Sequence, residues 1–155
     1  MKISRDIADK DININIEEIV CLERQAFSVA WTKKDIQEMY QVEHIQIWTA
    51  KEEEIVVGYC ILSVIADECE ILRLATDLQK RKLGIATKIL QAAEKDMYSE
   101  IKNIFLEVRE HNTPARNFYT KHGFTATGIR KQYYSEPKED AVLMMKIVET
   151  GERKC

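Results

Sequence analysis

The hydrophobic pattern changes its period once along the chain, and that change constrains the fold more than any other feature. In "HIQIWTAKEEEIVVGYCILSVIADECEILRLAT", residues 44–76, apolar and β-branched side chains alternate with polar ones, and polar turns interrupt the alternation. From Gly84 onwards the apolar residues recur at helical spacing, through Ile89 to Met97. This pattern predicts three antiparallel strands, a glycine turn and an amphipathic helix.

Two helices are expected before these strands. Apolar spacing favours a helix from about Asp11 to Phe27, although the Ile/Asn alternation at its start is equally typical of a strand. Thr32 followed by Asp35 has the pattern of a helix N-cap, with Trp31 and Ile36 in the positions of a hydrophobic staple. A short second helix is therefore predicted.

The last third of the chain alternates strand and helix. Residues 104–108 form an apolar, strand-like run. Asn112 as N-cap and Gly123 as a left-handed terminator predict a helix over Asn112–His122. Two closing strands are expected, in "FTATGIRKQYY" and "DAVLMMKIV". A run of strands followed by this alternation predicts an α/β fold of the α+β kind, a mixed sheet with helices on both faces.

Composition limits the domain count and the partners. The chain has 155 residues, 45% hydrophobic and 32% charged, without repeats or a Pro/Gly-rich linker, so one domain over residues 1–150 and a flexible tail at 151–155 are expected. A net charge of −3 and a pI of 5.7 give no electrostatic footprint for nucleic acid. They favour a basic peptide or an amine as partner.

Cysteine spacing and hydropathy predict the compartment. No C-x-x-C pair or zinc-type Cys/His spacing occurs, so thiols in a reducing cytosol are expected and no metal site; Cys155 has no assigned role. The N-terminus lacks an apolar signal core and no stretch reaches eighteen apolar residues. The prediction is a soluble cytoplasmic protein without membrane contact.

A carboxylate interrupts the apolar run over residues 104–108. Burying the ionised side chain of Glu107 without a partner would be costly, so it is expected to be paired, neutralised or used in chemistry. An ion pair with Arg109 or another cation remains the structural alternative. On the helix that follows, Tyr119 shares one face with Phe118 and His122 and should point towards the sheet, either as a core aromatic or as a functional hydroxyl.

Two further stretches suggest binding. In "QKRKLGIATKIL" Gly84 opens a helix whose first N–H groups, over residues 83–87, could hold an anion; an ordinary turn with solvated basic residues is the alternative. In "IRKQYYSEPKEDA" two adjacent tyrosines precede an acidic loop containing Glu139. Those charges are either solvated or form a wall for a cationic peptide.

Together these stretches resemble the Gcn5-related N-acetyltransferases (GNAT). "RKLGIA", Arg81 to Ala86, fits the acyl-CoA pyrophosphate signature R/Q-x-x-G-x-G/A, and "LEVREHNTPARNFYTKHGF" resembles the strand and helix that follow it. With "AFSVAWT" and "IRKQYYSEPKEDAVLM", the resemblance is closest to the ribosomal-protein-alanine N-acetyltransferase branch (RimI) and covers nearly the whole chain. It implies a mostly antiparallel central sheet with helices on both faces.

The resemblance also implies roles for individual residues. Glu107 matches the general base and Tyr119 the general acid for the departing CoA thiolate. The positions that match acetyl-CoA contacts are Leu74, Ala75, Thr76, Arg81, Leu83, Gly84, Ile85, Ala86, Thr87 and Asn112. Three positions depart from the usual pattern: Ala86 replaces a glycine, Leu78 a proline and Thr76 a valine.

The implied activity is acetyl transfer from acetyl-CoA, without a metal, to the N-terminal alanine of a small-subunit ribosomal protein. The expected partner is its basic N-terminal peptide, received by Tyr133, Tyr134, Glu136 and Asp140, with no direct contact to nucleic acid. The alternatives are another acceptor amine (a protein lysine, a polyamine or a small molecule) and a non-catalytic acetyl-CoA-binding module.

Overall fold

The computed structural model describes residues 1–7, 12–81 and 83–148. Its elements in chain order are β1 (Lys2–Asp6), α1 (Ile12–Ala26), α2 (Lys33–Gln41), β2 (Ile45–Glu52), β3 (Ile55–Ile65), β4 (Glu68–Thr76), a 3-10 turn (Leu78–Lys80), α3 (Ile85–Asp96), β5 (Asn103–Arg109), α4 (Thr113–Lys121), β6 (Thr125–Tyr134) and β7 (Glu139–Ile147). The predicted start of the first helix at Asp11, the tail at 151–155 and Cys155 lie outside the described residues.

Within the described residues the strands form one mixed sheet in the order β1-β2-β3-β4-β5-β7-β6. The β1–β2, β2–β3, β5–β7 and β6–β7 pairs are antiparallel, and β4–β5 is parallel. The predicted fold class is therefore confirmed. The described residues fall into two compact units, one within 1–64 and 72–97 and the other within 65–71 and 98–148. The single domain over residues 1–150 stays a prediction.

The first unit is built around α1, α2 and the strands β2 and β3. Thr32 caps α2: its hydroxyl accepts from the Asp35 amide at 3.2 Å, and the Asp35 carboxylate accepts from the Thr32 amide at 2.8 Å. This is the predicted capping box. The core of the unit also encloses the polar side chains of Glu23 and Thr49. Its buried hydrophobic members are Ile16, Ile19, Val20, Leu22, Ile36, Ile47, Val56, Tyr59, Ile61 and Ala75.

The first strand was not expected from the sequence. "KISRD" pairs with β2 from Lys2 opposite Lys51 to Asp6 opposite Ile47. The backbone makes this pairing at the edge of the sheet, so the strand does not need the apolar alternation by which buried strands are detected.

The second unit follows the predicted strand–helix alternation. The buried residues of β5 alternate, Ile104, Leu106 and Val108, as expected for a strand with one face in the core. Helix α4 is capped by Asn112, whose side chain accepts from the Ala115 amide at 3.2 Å, and it is followed by Gly123 with φ 94°. The predicted caps of this helix are confirmed.

Candidate active site

Glu107 lies on β5 with its side chain on the face opposite the buried residues of that strand. The side chain is 18% exposed, so it is mostly shielded from solvent but not enclosed in the core. A rigid strand therefore holds the carboxylate in a fixed direction, in reach of groups on the neighbouring strands.

The carboxylate has a cationic partner, and that partner is Arg130. The Arg130 Nε atom lies 3.3 Å from Glu107 Oε1, while the arginine side chain itself is 56% exposed. Strand β7 sets the pairing: Leu143 lies opposite both Glu107 and Gly128, which places Arg130 one strand step further along the same face. Glu107 is thus the shielded member of the pair and Arg130 the solvent-exposed one.

Two more side chains complete the surroundings of Glu107. The Tyr133 side chain lies near the carboxylate, and the negative charge of Glu107, with some burial, raises the tyrosine pKa. Glu70 on β4 lies opposite Phe105 and so faces the same side as Glu107; burial, and then the charge of Glu107, raise the pKa of Glu70. Two carboxylates and one arginine form a small, net negative cluster.

Arg109, the partner expected from sequence proximity, does not pair with Glu107. Its guanidinium lies 3.3 Å from Glu139 Oε1 and donates to the backbone carbonyl of Pro137 at 2.9 Å. It also lies 4.4 Å from the centroid of the Tyr134 ring. Arg109 therefore anchors the loop between β6 and β7.

The acidic residues of that loop divide into two groups. Asp140 accepts from the Gln132 amide at 2.7 Å and Glu139 from the His111 amide at 2.6 Å, and these backbone donors lower the pKa of both carboxyls. Both carboxylates thus brace the loop. Glu136 is exposed, and its charge is turned towards solvent where a cationic ligand could approach.

The two adjacent tyrosines take different directions, as strand geometry requires. Their ring centroids are 5.0 Å apart and the planes meet at 77°. Tyr133 contacts Glu107 and Arg130, whereas Tyr134 packs on Arg109. The structure therefore brings Tyr133, but not Tyr134, to the candidate base.

Tyr119 is the buried residue of α4 and is 8% exposed. Its ring makes edge-to-face contacts with Phe118, at 5.3 Å between centroids, and with Phe124, at 5.4 Å. The helix thus presents this face inward, as its spacing predicted. The role of the Tyr119 hydroxyl as an acid stays a prediction.

In the first unit, the start of α3 has the features of an anion cradle. Gly84 has φ 77°, a left-handed conformation that suits glycine, and it makes no side-chain cap hydrogen bond. A methyl group built there would meet nothing within 4 Å, so the space in front of the first helical turn is open. Buried Ile85 fixes that turn against the core, and Arg81 and Leu83 are exposed beside it.

These features fit the pyrophosphate of acetyl-CoA. The first N–H groups of a helix have no partner four residues back, and the helix dipole favours a negative charge there. Leu74, Ala75 and Thr76 form the end of β4 in the same unit, whereas Asn112 belongs to the second unit. The Asn112 side chain caps α4. Binding of acetyl-CoA by Asn112, and by the other positions that match acetyl-CoA contacts in the family pattern, stays a prediction.

Arg130 and Glu70 are the members of the Glu107 cluster that sequence reasoning missed. They become neighbours of Glu107 only through the strand order, which no local pattern encodes. Side-chain alternation along "CEILR" and "GIR" could have placed each on one face of its strand.

Within the same described ranges, no group of three or more His, Cys, Asp or Glu side chains could hold a metal ion. Among the described helices, none combines the length and apolar character needed to cross a bilayer.

Comparisons with known proteins identify the family. The sequence model of the acetyltransferase (GNAT) family matches residues 16–124. The chain is similar to the [ribosomal protein bS18]-alanine N-acetyltransferase of Haemophilus ducreyi, with 30% identity over 142 residues, 89% of this chain and 94% of that protein. It is 35% identical over 147 residues to an N-acetyltransferase of Methanocaldococcus jannaschii, covering 93% of this chain and 90% of the other.

A solved structure gives the same fold. The crystal structure of the ribosomal-protein-S18-alanine N-acetyltransferase from Escherichia coli superposes with a TM-score of 0.83, at 20% identity, over 99% of each chain. The family match, the two relatives and this fold agree, and the chain belongs to the GNAT family of N-acetyltransferases.

Proposed function

We propose that the protein transfers the acetyl group of acetyl-CoA to the N-terminal alanine of a small-subunit ribosomal protein. The observation that carries this proposal is the 30% identity, over 89% of the chain, to an enzyme named for the alanine of ribosomal protein bS18. Such a substrate places the reaction in the cytoplasm.

The acceptor amine is expected to be drawn to the Glu107 cluster. A peptide arrives with its N-terminus as an ammonium group, and the two carboxylates, Glu107 and Glu70, leave the cluster one negative charge in excess when both are ionised. The more exposed Arg130 can turn into solvent at little cost, because exposed ion pairs contribute only ~0–1 kcal/mol. The substrate ammonium would then replace the guanidinium beside Glu107.

Glu107 would next take a proton from this ammonium, directly or through one water molecule. An α-amino group has a reference pKa of ~7.7–8.0 and lysine one of ~10.4, so deprotonating lysine at neutral pH costs about 3–4 kcal/mol more. A single carboxylate is therefore better matched to an N-terminal amine. This difference supports the α-amine over a side-chain amine as acceptor.

The neutral nitrogen then attacks the thioester carbon, forming the amide bond while the bond from carbon to sulfur breaks. Backbone groups of Leu74, Ala75 and Thr76 would polarise the thioester carbonyl, and the N–H groups over residues 83–87 would hold the pyrophosphate. Tyr119 would return a proton to the CoA thiolate. The atoms balance. One acetyl group moves from sulfur to nitrogen. The ammonium loses one proton before the attack and one during it, the CoA thiolate gains one proton, and the other is released.

The end of β6, the loop after it and the start of β7 would receive the peptide beyond its first residue. Tyr133 stands beside the candidate base, and Glu136 offers an exposed negative charge to a basic peptide. We assign Asp140 an indirect part, since its carboxylate accepts the Gln132 amide and so shapes the hairpin next to Tyr133. Tyr134 would act in the same way through its packing on Arg109.

The test is acetyl transfer by the purified protein to a panel of acceptors. The panel holds basic peptides that begin with Ala, Ser or Met, a peptide with a blocked N-terminus and one lysine, and a polyamine. Transfer to the Ala peptide should exceed transfer to the lysine peptide and the polyamine. Good transfer to the polyamine with none to any Ala peptide would assign a small-molecule acceptor, and acetyl-CoA binding without any transfer would indicate a binding module.

A further inference from the structure

A buried carboxylate in the first unit has no part in the proposed chemistry. Glu23 on α1 is 0% exposed. It accepts the Tyr59 hydroxyl and, at 2.8 Å, the backbone amide of Trp31. Burial and the charge of Glu23 raise the pKa of Tyr59, which keeps its proton available for donation. Glu23 thus ties α1 to β3 and to the segment that leads into α2.

The counter-charge to Glu23 is Arg73 on β4, at 3.5 Å from the carboxylate. The same guanidinium lies over two aromatic rings, 4.3 Å from the centroid of Phe27 and 4.5 Å from that of Trp31. It also donates to the carbonyl of Val29 at 3.4 Å. Arg73 therefore contacts the start, the middle and the end of residues 27–31, here called the joint segment, which links α1 to α2.

These contacts explain the spacing in "AFSVAWT". Two rings separated by three residues can enclose one flat guanidinium only if the chain between them turns around it, and the Val29 carbonyl marks that turn. A buried ion pair with these additional contacts fixes one conformation, because removing any member leaves a charge or a donor unsatisfied.

The joint segment is also fixed beside the strand that the proposed function assigns to the thioester. Arg73 directly precedes Leu74 on β4, and past the end of the strand Gln25 accepts the amide of Leu78 at 3.2 Å. Residues 74–76 are therefore bracketed by one contact to the joint segment, through Arg73, and one to the last turn of α1, through Gln25. Val29 stays half exposed at the tip of the joint segment.

We propose that Arg73 is a positioning residue which, through the Phe27 and Trp31 rings and Glu23, holds the joint segment in the place needed by the acceptor amine. This inference rests on the proposed function. The acetyl-CoA contacts proposed for residues 74–76 and 83–87 are backbone groups and do not use the arginine side chain. An acceptor, by contrast, must reach the thioester past the parts of the chain that flank residues 74–76. The joint segment is one of these flanking parts.

The test is Arg73→Lys, which keeps the positive charge but loses the flat group between the rings. KM for the acceptor that the parent acetylates best should rise about tenfold, equivalent to the ~1.4 kcal/mol of a partly desolvated cation–π contact. Kd for acetyl-CoA should stay within about twofold, since the helix-start amides that bind it are unchanged. Phe27→Leu, which removes one ring and leaves the ion pair, should change KM in the same direction and by less.

Lys33→Met is the matched control. Lys33 forms an exposed ion pair with Glu17 at 2.5 Å, so it joins the same two helices without touching the joint segment's rings. Both constants should stay at parent values in this variant. A rise in KM equal to that of Arg73→Lys would show that general loosening of the helices, and not the arginine, sets acceptor binding.

Fluorine NMR of 5-fluorotryptophan protein tests the clamp without using activity. The chain has two tryptophans, Trp31 and Trp48, and Trp48→Phe assigns their signals. Arg73→Lys should shift and broaden the Trp31 signal and leave that of Trp48 in place, which also shows that the variant is folded. An unmoved Trp31 signal, an unchanged acceptor KM, or equal losses in KM and acetyl-CoA Kd would each overturn the inference. Failure of the parent to acetylate any peptide would overturn the proposed function instead. The effect of Arg73→Lys would then be measured with the small amine that the parent acetylates best.

Discussion

The close approach of α3 to the sheet predicts that Gly58→Ala damages both stability and acetyl-CoA binding. A methyl group at Gly58 on β3 would lie 2.8 Å from Ile85 Cγ2, 3.1 Å from Ile89 Cδ1 and 3.3 Å from Thr76 Cγ2. Carbon atoms pack at about 3.5–4.0 Å, so the first turn of α3 has to move by roughly 0.7–1.2 Å. Ile85 and Ile89 are buried, so neither side chain can turn into solvent to relieve the contact.

The expected cost is that of an overpacked core, about 1–3 kcal/mol. At about 2–4 °C per kcal/mol for a chain of this size, the midpoint of thermal unfolding should fall by roughly 2–12 °C. Because Ile85 supplies one of the amides proposed to bind the pyrophosphate, Kd for acetyl-CoA should rise by about threefold to tenfold, the cost of misaligned charge-assisted hydrogen bonds. Circular dichroism and calorimetric titration measure the two effects.

Gly128→Ala is the matched control. Its methyl group would be 3.5 Å from Leu143 Cδ1, an ordinary contact, on a strand of the second unit. This variant should keep both the unfolding midpoint and the acetyl-CoA affinity of the parent. A parent-like midpoint for Gly58→Ala, or an equal loss in both variants, would refute the packing argument.

Four further predictions concern the second unit. Glu107→Gln should lower kcat by a factor of about 10²–10⁴ while Kd for acetyl-CoA stays constant. Tyr119→Phe should lower kcat by a similar factor with the ring packing intact. A parent-like kcat in a steady-state assay of either variant would remove that residue from the mechanism. Arg130→Gln should lower KM for a basic peptide by up to about fivefold, the ~1 kcal/mol of an exposed ion pair, and a higher KM would show that Arg130 assists binding instead. Hydrogen bonding to the Gln132 amide lowers the pKa of Asp140 in the folded state, so the stability it contributes is present at neutral pH and is lost as the pH falls through the folded pKa. The protection of the Gln132 amide, which is the ratio of its intrinsic to its observed hydrogen-exchange rate, should fall in that window. An unchanged protection would contradict the assigned hydrogen bond.

Local signals in the sequence were sufficient for the elements that carry the candidate site. The capping box at Thr32, the cap at Asn112 and the left-handed Gly123 are each set by neighbouring residues, and each is present in the structure. For Glu107 the sequence showed a carboxylate within an apolar, strand-like run, and the structure places it on the face of β5 opposite the core. Such features depend on a few adjacent side chains and can be recognised without knowing the fold.

Contacts made across strands were beyond the reach of the sequence. Glu107 was expected to pair with a cation, and nearby Arg109 was the named candidate, but the β6–β7 loop uses Arg109 and the pairing through β7 supplies Arg130. Glu70 approaches Glu107 because β4 and β5 are parallel neighbours. Strand order and register decide these contacts, and both are properties of the folded sheet.

The buried charges of the first unit show the same limit. Glu23 lies among apolar residues at helical spacing, and nothing local distinguishes it from a solvated charge. Its partners Tyr59 and Arg73 come from two different strands.

The most direct test of the account is the mass of the ribosomal proteins in cells with and without this enzyme. Intact-protein mass spectrometry should show one small-subunit protein with an N-terminal alanine that loses its acetyl group when the gene is deleted. The gene for the parent should restore the acetyl group and that for Glu107→Gln should not. An unchanged set of N-terminal acetyl groups after deletion would contradict the proposed function.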